Sequence, residues 1–235
     1  MLCTTQDLIE SIILSLTFEF KYENVAPEFQ FVTMFEAVKL GMLKIFNVSL
    51  QDDLTMNLEI GEKNPYIENN RIISDEACQH IISILDSNTL TYGQKIGELF
   101  ELVAEPYLVE DYPSSNGLIA PIFITSFPAE LCPLARKSDI DPRFCDRFEL
   151  YMGGIEVANG YQELNDPAEQ LKRFEEQLIQ NGKDPMDIDL DYVKALEYGM
   201  PPTVGAGIGI DRLLQVLTGA ESIKETLLFP TMRKE

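Results

Sequence analysis

At 235 residues the chain can bury one substantial core or at most two small ones. Its 45% hydrophobic and 24% charged content is ordinary for a globular protein in water. Acidic residues outnumber basic ones 39 to 18, a net charge of −21, which argues against a broad nucleic-acid surface but not against a site for a small cation. In chain order, Thr5 is placed to cap a helix carrying Leu8, Ile12, Ile13 and Leu16 on one stripe. Residues 18–22 alternate aromatic and charged side chains, as a short strand does. Residues 33–46 read as an amphipathic helix with Phe35, Val38, Met42 and Ile45 inward, and 51–73 as a polar, turn-rich surface insertion. Helices follow at 74–85 and 91–104, the second burying Ile96, Leu99, Phe100 and Val103 and ending at Pro106. A loop at 112–120 leads to a buried strand at 121–127. Pro167 opens a charged helix to Asn181 with Leu171, Phe174 and Leu178 on its apolar stripe. The acidic 184–191 stretch reads as a solvated loop, and a short helix then runs to Gly199.

Between these elements lies the stretch with most chemistry, residues 148–166. It reads as two strands joined at Gly153-Gly154, since both glycines can take the positive φ of a type I′ turn. A two-residue turn sets Met152 opposite Ile155, Tyr151 opposite Glu156 and Glu149 opposite Ala158. Glu149 and Glu156 then point the same way as diagonal neighbours, and two such carboxylates suit Mg²⁺ when phosphates complete the shell. Asn159, Tyr161 and Glu163 alternate, so a regular strand lines up an amide, a ring and a carboxylate, a set suited to a small amine. Strict alternation would put the two sets on opposite faces. A β-bulge near Val157 or Ala158 would bring them together. Periodicity alone favours an ordinary hairpin with polar residues on its wet face.

Near the C-terminus Gly205, Gly207 and Gly209 recur every second residue and leave one strand face bare. Asp211-Arg212 then opens a helix with Leu213, Leu214 and Leu217 on its apolar side, and Arg212 sits where a helix N-terminus already favours phosphate. Cys3, Cys78, Cys132 and Cys145 form no CxxC pair, which points to a reducing compartment rather than a zinc site or disulfide framework. The only histidine, His80, falls in a helix and reads as structural. No basic leader or membrane-length apolar run is present, so the default location is the cytoplasm.

The 148–166 stretch resembles the core of class II lysyl-tRNA synthetases. The run Gly-Ala-Gly-Ile-Gly-Ile-Asp-Arg-Leu at 205–213, with Leu-Phe-Pro-Thr-Met-Arg at 228–233, resembles their motif 3. The likeness is dense from about Leu90 onward, through 97–101, 121–125 and 132–136, with Cys132 where the family usually has Ser. It implies an α+β fold: a mainly antiparallel sheet flanked by helices, with strands at 121–127, 148–152, 155–164 and 203–210. It implies that Glu149 and Glu156 hold Mg²⁺ and ATP, that Arg212 holds the ATP γ-phosphate and is catalytic, and that Asn159, Tyr161 and Glu163 receive lysine, with Gly207 leaving room for its backbone. It implies a lysine–tRNA ligase, with lysine, ATP and tRNA(Lys) as partners in a homodimeric family. No stretch resembles motif 1, motif 2 or the anticodon-binding OB domain. Residues 1–235 are therefore expected to form a single catalytic domain, N-terminally truncated relative to the family and slow or inactive alone. Three other readings stay open: a paralogue that joins lysine to an elongation factor, an aspartyl- or asparaginyl-type synthetase, and an inactive ligand-binding remnant. Glu163 argues against the second, because an acidic substrate calls for Arg there.

Overall fold

The structure, a computed structural model, describes residues 11, 25–26, 28–57, 71, 73–180 and 188–230. The expected helix after Thr5, the strand at 18–22, most of the 51–73 stretch and the first half of the acidic 184–191 loop lie outside them.

Five strands make the main sheet: β1 (Gln30–Thr33), β4 (Pro121–Pro128), β5 (Phe144–Met152), β6 (Ile155–Gln162) and β7 (Val204–Ile208), in that spatial order. β1 runs parallel to β4, and every other neighbour is antiparallel. The sheet is thus the mainly antiparallel, helix-flanked one the sequence implies. β1 is an addition to it. Strands β2 (Ser49–Leu50) and β3 (Met56–Asn57) form a separate two-stranded ribbon.

Helices α1 (Met34–Phe46), α2 (Asp75–Asp86) and α3 (Tyr92–Leu99) cover one face of the sheet. Thr33 closes a capping box with Glu36, and Thr91 does the same with Gln94, so each helix starts where its first free N–H groups find a side chain. Helix α3 does not end at Pro106 as expected. At Phe100 its winding loosens into a π turn to Ala104, tightens into a 3₁₀ turn at Glu105–Tyr107 that accommodates Pro106, and closes as the one-turn α4 (Leu108–Asp111). Outside contacts fix this irregular segment. Arg71 donates to Val103 O at 3.0 Å, and Asp111, almost fully buried, pairs with both Arg71 and Lys44. A Cβ on Gly41 would lie 2.2 Å from Val103 O, so only glycine lets α1 pass this close.

Among the described residues, the α-helices α5 (Pro167–Gln180), α6 (Leu190–Glu197) and α7 (Ile210–Thr218) follow the hairpin. Helix α7 packs Leu213, Val216 and Leu217 on the opposite sheet face, against Phe123, Phe148, Leu150 and Val157. Leu214, expected on the buried side, is exposed, and Val216 takes its place.

Candidate active site

The hairpin turns where the sequence placed it. Gly153 and Gly154 have φ of 59° and 78°, the left-handed pair of a type I′ turn. Met152 faces Ile155 and Tyr151 faces Glu156, as expected. One step further the register shifts: Leu150 faces Ala158, Glu149 faces Asn159, and Val157 is the extra residue. The expected Glu149–Ala158 pair is therefore corrected by one position, and the bulge lies in the region where the chemistry called for one. Gly209 N–H donates to Val157 O at 2.8 Å and Arg212 Nη1 to Glu156 O at 2.9 Å, so β7 and α7 satisfy the carbonyls beside the bulge.

The shift puts both residue sets on one face. Arg147, Glu149 and Tyr151 alternate along β5. Opposite them on β6 stand Tyr161, Asn159 and Glu156, and on β7 Gly205 faces Tyr161 and Gly207 faces Asn159. Asn159 Nδ2 donates to Glu156 Oε1 at 3.1 Å, and Arg212 Nη1 meets Glu156 Oε2 at 3.2 Å. A Cβ on Gly207 would find only Asn159 Oδ1, at 3.9 Å, so the space above that glycine is open.

Glu149 is the more enclosed of the carboxylate pair, 13% exposed against 30% for Glu156. Arg147 Nη2 grips its Oε1, and the Tyr151 hydroxyl reaches its Oε2 at 2.9 Å. Burial pushes the Glu149 carboxyl above its ordinary value, and the charges of Glu156 and Glu105 add to this while Arg147 and Tyr151 oppose it. Burial works against the Arg147 charge, but Cys132 and Glu149 outweigh it and raise its pKa. Behind Arg147 lies Cys132, whose sulfur accepts from Nη1 at 3.2 Å. A hydrogen bond from the Cys145 thiol, helped by Arg147, lowers Cys132 to about 7, and Cys145 is raised in return. Two of the cysteines that look scattered in the sequence thus meet beneath the site.

A cleft of about 420 Å³ opens between this face and the α3–π-turn segment. It is lined by five carboxylates, Glu98, Glu101, Glu105, Glu149 and Glu156, against one cation, Arg147. The donors are hard oxygens, and the Glu149 charge is both desolvated and repelled. That set fits Mg²⁺ bound with phosphates and disfavours bare polyphosphate.

Glu163 stands apart at the far end of the row. It follows β6, bridges to Ala135 and donates its N–H to Thr203 O at 2.9 Å. Its carboxylate lies over Gly205, where a Cβ would come within 2.7 Å of Oε1. Burial raises its pKa, and no described residue forms an ion pair or hydrogen bond with its side chain. Burial and then the Glu163 charge raise both Tyr161 and, on α6, Tyr192. All seven sequence-predicted residues therefore share one face or its rim. The reading missed Arg147, Tyr151, Glu105 and Tyr192. Arg147 and Tyr151 were within reach, being two residues either side of Glu149. Glu105 and Tyr192 arrive from other elements and leave no local signal. His80 is exposed on α2 and plays no part.

A profile of the tRNA synthetases class II (D, K and N) matches residues 1–233. The chain belongs to this family. Among proteins it is similar to, a lysine–tRNA ligase of Helicobacter pylori (strain Shi470) is 49% identical over 147 residues, covering 61% of the chain and 27% of that protein. One from Xanthomonas oryzae pv. oryzae (strain MAFF 311018) is 50% identical over the same length and shares. One from Staphylococcus haemolyticus (strain JCSC1435) is 46% identical over 173 residues, 70% of the chain and 32% of that protein. This class II chain thus spans about a third or less of the length of the curated relatives it matches.

Proposed function

We propose that the chain is part of a lysine–tRNA ligase that activates lysine with ATP and passes it to tRNA(Lys) in the cytoplasm. Residues 1–235 form one catalytic domain in this reading, with 51–73 a surface insertion. Glu149 and Glu156 hold Mg²⁺ with ATP, and Arg212, already beside Glu156, takes the far phosphate. Mg²⁺ supplies charge neutralisation of the triphosphate when bound. Glu163 receives the lysine ammonium, Tyr161 walls its stem, Asn159 contacts its polar end, and Gly207 leaves room for its backbone.

The observation that carries this reading is Glu163, a half-buried carboxylate lying over Gly205, whose charge is felt by Tyr161 and Tyr192, with no described cation paired to it. An unpaired carboxylate out of full solvent favours a cationic guest. A compact ammonium suits one carboxylate, whereas a guanidinium needs a wider fork of acceptors. Ornithine, one methylene shorter, loses about 1–3 kcal/mol. The names of the relatives point the same way.

Forming an adenylate needs positive charge where it develops at the α-phosphate. Arg147 is the only cation lining the described cleft, and it is engaged by Glu149 and Cys132. Lysyl-adenylate formation by this chain alone is therefore expected to be very slow. Calorimetry with lysine, ornithine, arginine and aspartate tests the specificity, and lysine-dependent pyrophosphate exchange tests the chemistry. Preference for aspartate overturns the lysine reading.

A further inference from the structure

Glu149 is held on both oxygens by neighbouring side chains. Arg147 takes Oε1, and the Tyr151 hydroxyl stands 2.9 Å from Oε2. The same hydroxyl stands 3.1 Å from Glu105 Oε1. The Tyr151 ring needs no hydroxyl for its packing, since it meets Phe100 edge-on through the ring itself, with centroids 6.4 Å apart. A buried phenol oxygen costs free energy unless it is paired. Its position between two carboxylates therefore calls for a reason beyond core filling.

Glu105 reaches this point through an irregularity. It is the first residue after the π turn at Phe100–Ala104, and the wider winding changes the direction in which the next side chain leaves the helix. Arg71 on Val103 O and the close passage of Gly41 hold that turn from outside the cleft. The chain thus uses an irregular stretch of helix, secured at its back, to present one carboxylate to one hydroxyl.

We propose that Glu105 and Tyr151 are positioning residues for Glu149: the single Tyr151 hydroxyl hydrogen is shared between Glu149 Oε2 and Glu105 Oε1, which fixes the hydroxyl between them and keeps Glu149 turned toward a divalent cation shared with Glu156. The proposal rests on the reading of Glu149 and Glu156 as the Mg²⁺ pair. Its physical content is a competition. Arg147 can offer two N–H groups to a carboxylate, and a forked pair would occupy both oxygens of Glu149. Tyr151 holds Oε2 away from that fork, so a lone pair on each oxygen stays free for a metal. Partners behind a metal ligand commonly change metal affinity by 10–100-fold.

The test uses the full chain and Mn²⁺ as a spectroscopic stand-in for Mg²⁺. Water-proton relaxation measures Mn²⁺ binding with ATP present, calorimetry measures lysine binding without metal, and thermal melting reports the fold. Tyr151→Phe and Glu105→Ala are each expected to weaken Mn²⁺·ATP binding about tenfold while lysine affinity stays unchanged. Glu105→Gln should keep wild-type binding, because its amide oxygen can take the same share of the phenol hydrogen that Glu149 also accepts. The double variant Tyr151→Phe/Glu105→Ala should lose no more than either single one, as expected of residues acting in series. The proposal fails if the single variants bind Mn²⁺·ATP like the wild type, or if metal and lysine binding fall together with the melting temperature. It also fails if Glu105→Gln behaves as Glu105→Ala, which would make charge rather than the hydrogen bond responsible. A wild-type chain that binds no Mn²⁺ with ATP removes the underlying metal-site reading as well, and that result is distinct from the others.

Discussion

The two ends of the site face treat their carboxylates differently. At one end Glu149 and Glu156 are each held by a cation and by a neutral donor: Arg147 and Tyr151 for the first, Arg212 and Asn159 for the second. At the other end Glu163 has no described partner and faces a glycine. A braced carboxylate has fixed geometry and part of its charge offset, which suits sharing a metal whose other ligands come from a phosphate chain. A bare one keeps its whole charge for a guest that brings a whole positive charge. In the proposed function the same residue type serves two tasks, and what differs is the neighbours the sheet register supplies.

The sharpest way to break this contrast is to neutralise the bare end. Glu163→Gln keeps the shape and removes the charge, so lysine affinity should fall about thirtyfold, roughly 2 kcal/mol, the low end for a desolvated charge pair because this carboxylate is only half-buried. Acid should mimic it. Burial raises the Glu163 pKa above 4.5, so the carboxylate protonates earlier than an ordinary one and lysine affinity declines as pH falls through that raised value. Stability of the ligand-free chain should move the other way in the same window. The folded state binds this proton more tightly than the unfolded state, so the burial penalty, full above the folded pKa, is relieved as pH falls toward 4.5. Glu163→Gln should flatten both effects when binding and melting are compared with the wild type across that range. Lysine affinity that is independent of pH there would contradict the assignment.

Two glycines sharpen the comparison further. A methyl on Gly205 would meet Glu163 Oε1 at 2.7 Å, whereas one on Gly207 meets only Asn159 Oδ1 at 3.9 Å. Gly205→Ala should therefore displace the carboxylate and cost about tenfold in lysine affinity, in line with the 1–3 kcal/mol typical of overpacking. Gly207→Ala should leave the fold and free Glu163 untouched, and weaken lysine only through its backbone end. Equal effects on lysine and on its des-amino analogue would remove Gly207 from the backbone role.

How much of this was readable in the sequence depends on how local each cause is. The Gly153-Gly154 turn was legible because two residues with positive φ decide it. The need for a bulge was legible because chemistry required the two sets on one face, but the one-residue slip to a Glu149–Asn159 pair depended on β7 and α7 taking the freed carbonyls. The π turn was not legible: 91–104 is continuously helical in pattern, and Arg71 and Gly41 impose the extra residue from afar. Helix α5 packs its apolar stripe, Phe174 meeting Tyr192 with ring centroids 5.9 Å apart, and adds contacts that the pattern does not show. Its most buried side chains are Gln170 and Arg173 rather than Leu171, Phe174 and Leu178, because they bond the carbonyls of Pro133, Cys132 and Ala135. Apolar periodicity cannot see a helix docked through hydrogen bonds.

At the braced end effects should be smaller. Glu156→Gln keeps an oxygen for Asn159, and Arg212 keeps its bond to Glu156 O, so the local fold stays. What goes is charge at the metal. Mg·ATP binding should weaken by about 1.5 kcal/mol, roughly tenfold, the scale of one charged interaction, while binding of free lysine stays near wild type. Equal weakening of both, measured by calorimetry, would erase the division between the two ends.

The smallest effect is expected furthest from the carboxylates, at Cys132. Its sulfur is the second acceptor of Arg147, at 3.2 Å, and its pKa of about 7 comes from the Cys145 hydrogen bond and the guanidinium. Serine can accept from the same guanidinium and from the same thiol, so Cys132→Ser should leave Mg·ATP and lysine binding within about twofold. It should still remove one signature. A thiol whose folded pKa is depressed from 9.0 to about 7 adds stability that is fully present above 9.0 and is lost as pH falls through about 7. The wild type should therefore gain in melting temperature relative to Cys132→Ser between about pH 7 and 9, with the two converging below. A constant difference across that range would mean that Arg147 holds a neutral thiol, and that the sulfur contributes shape rather than charge to the brace on Glu149.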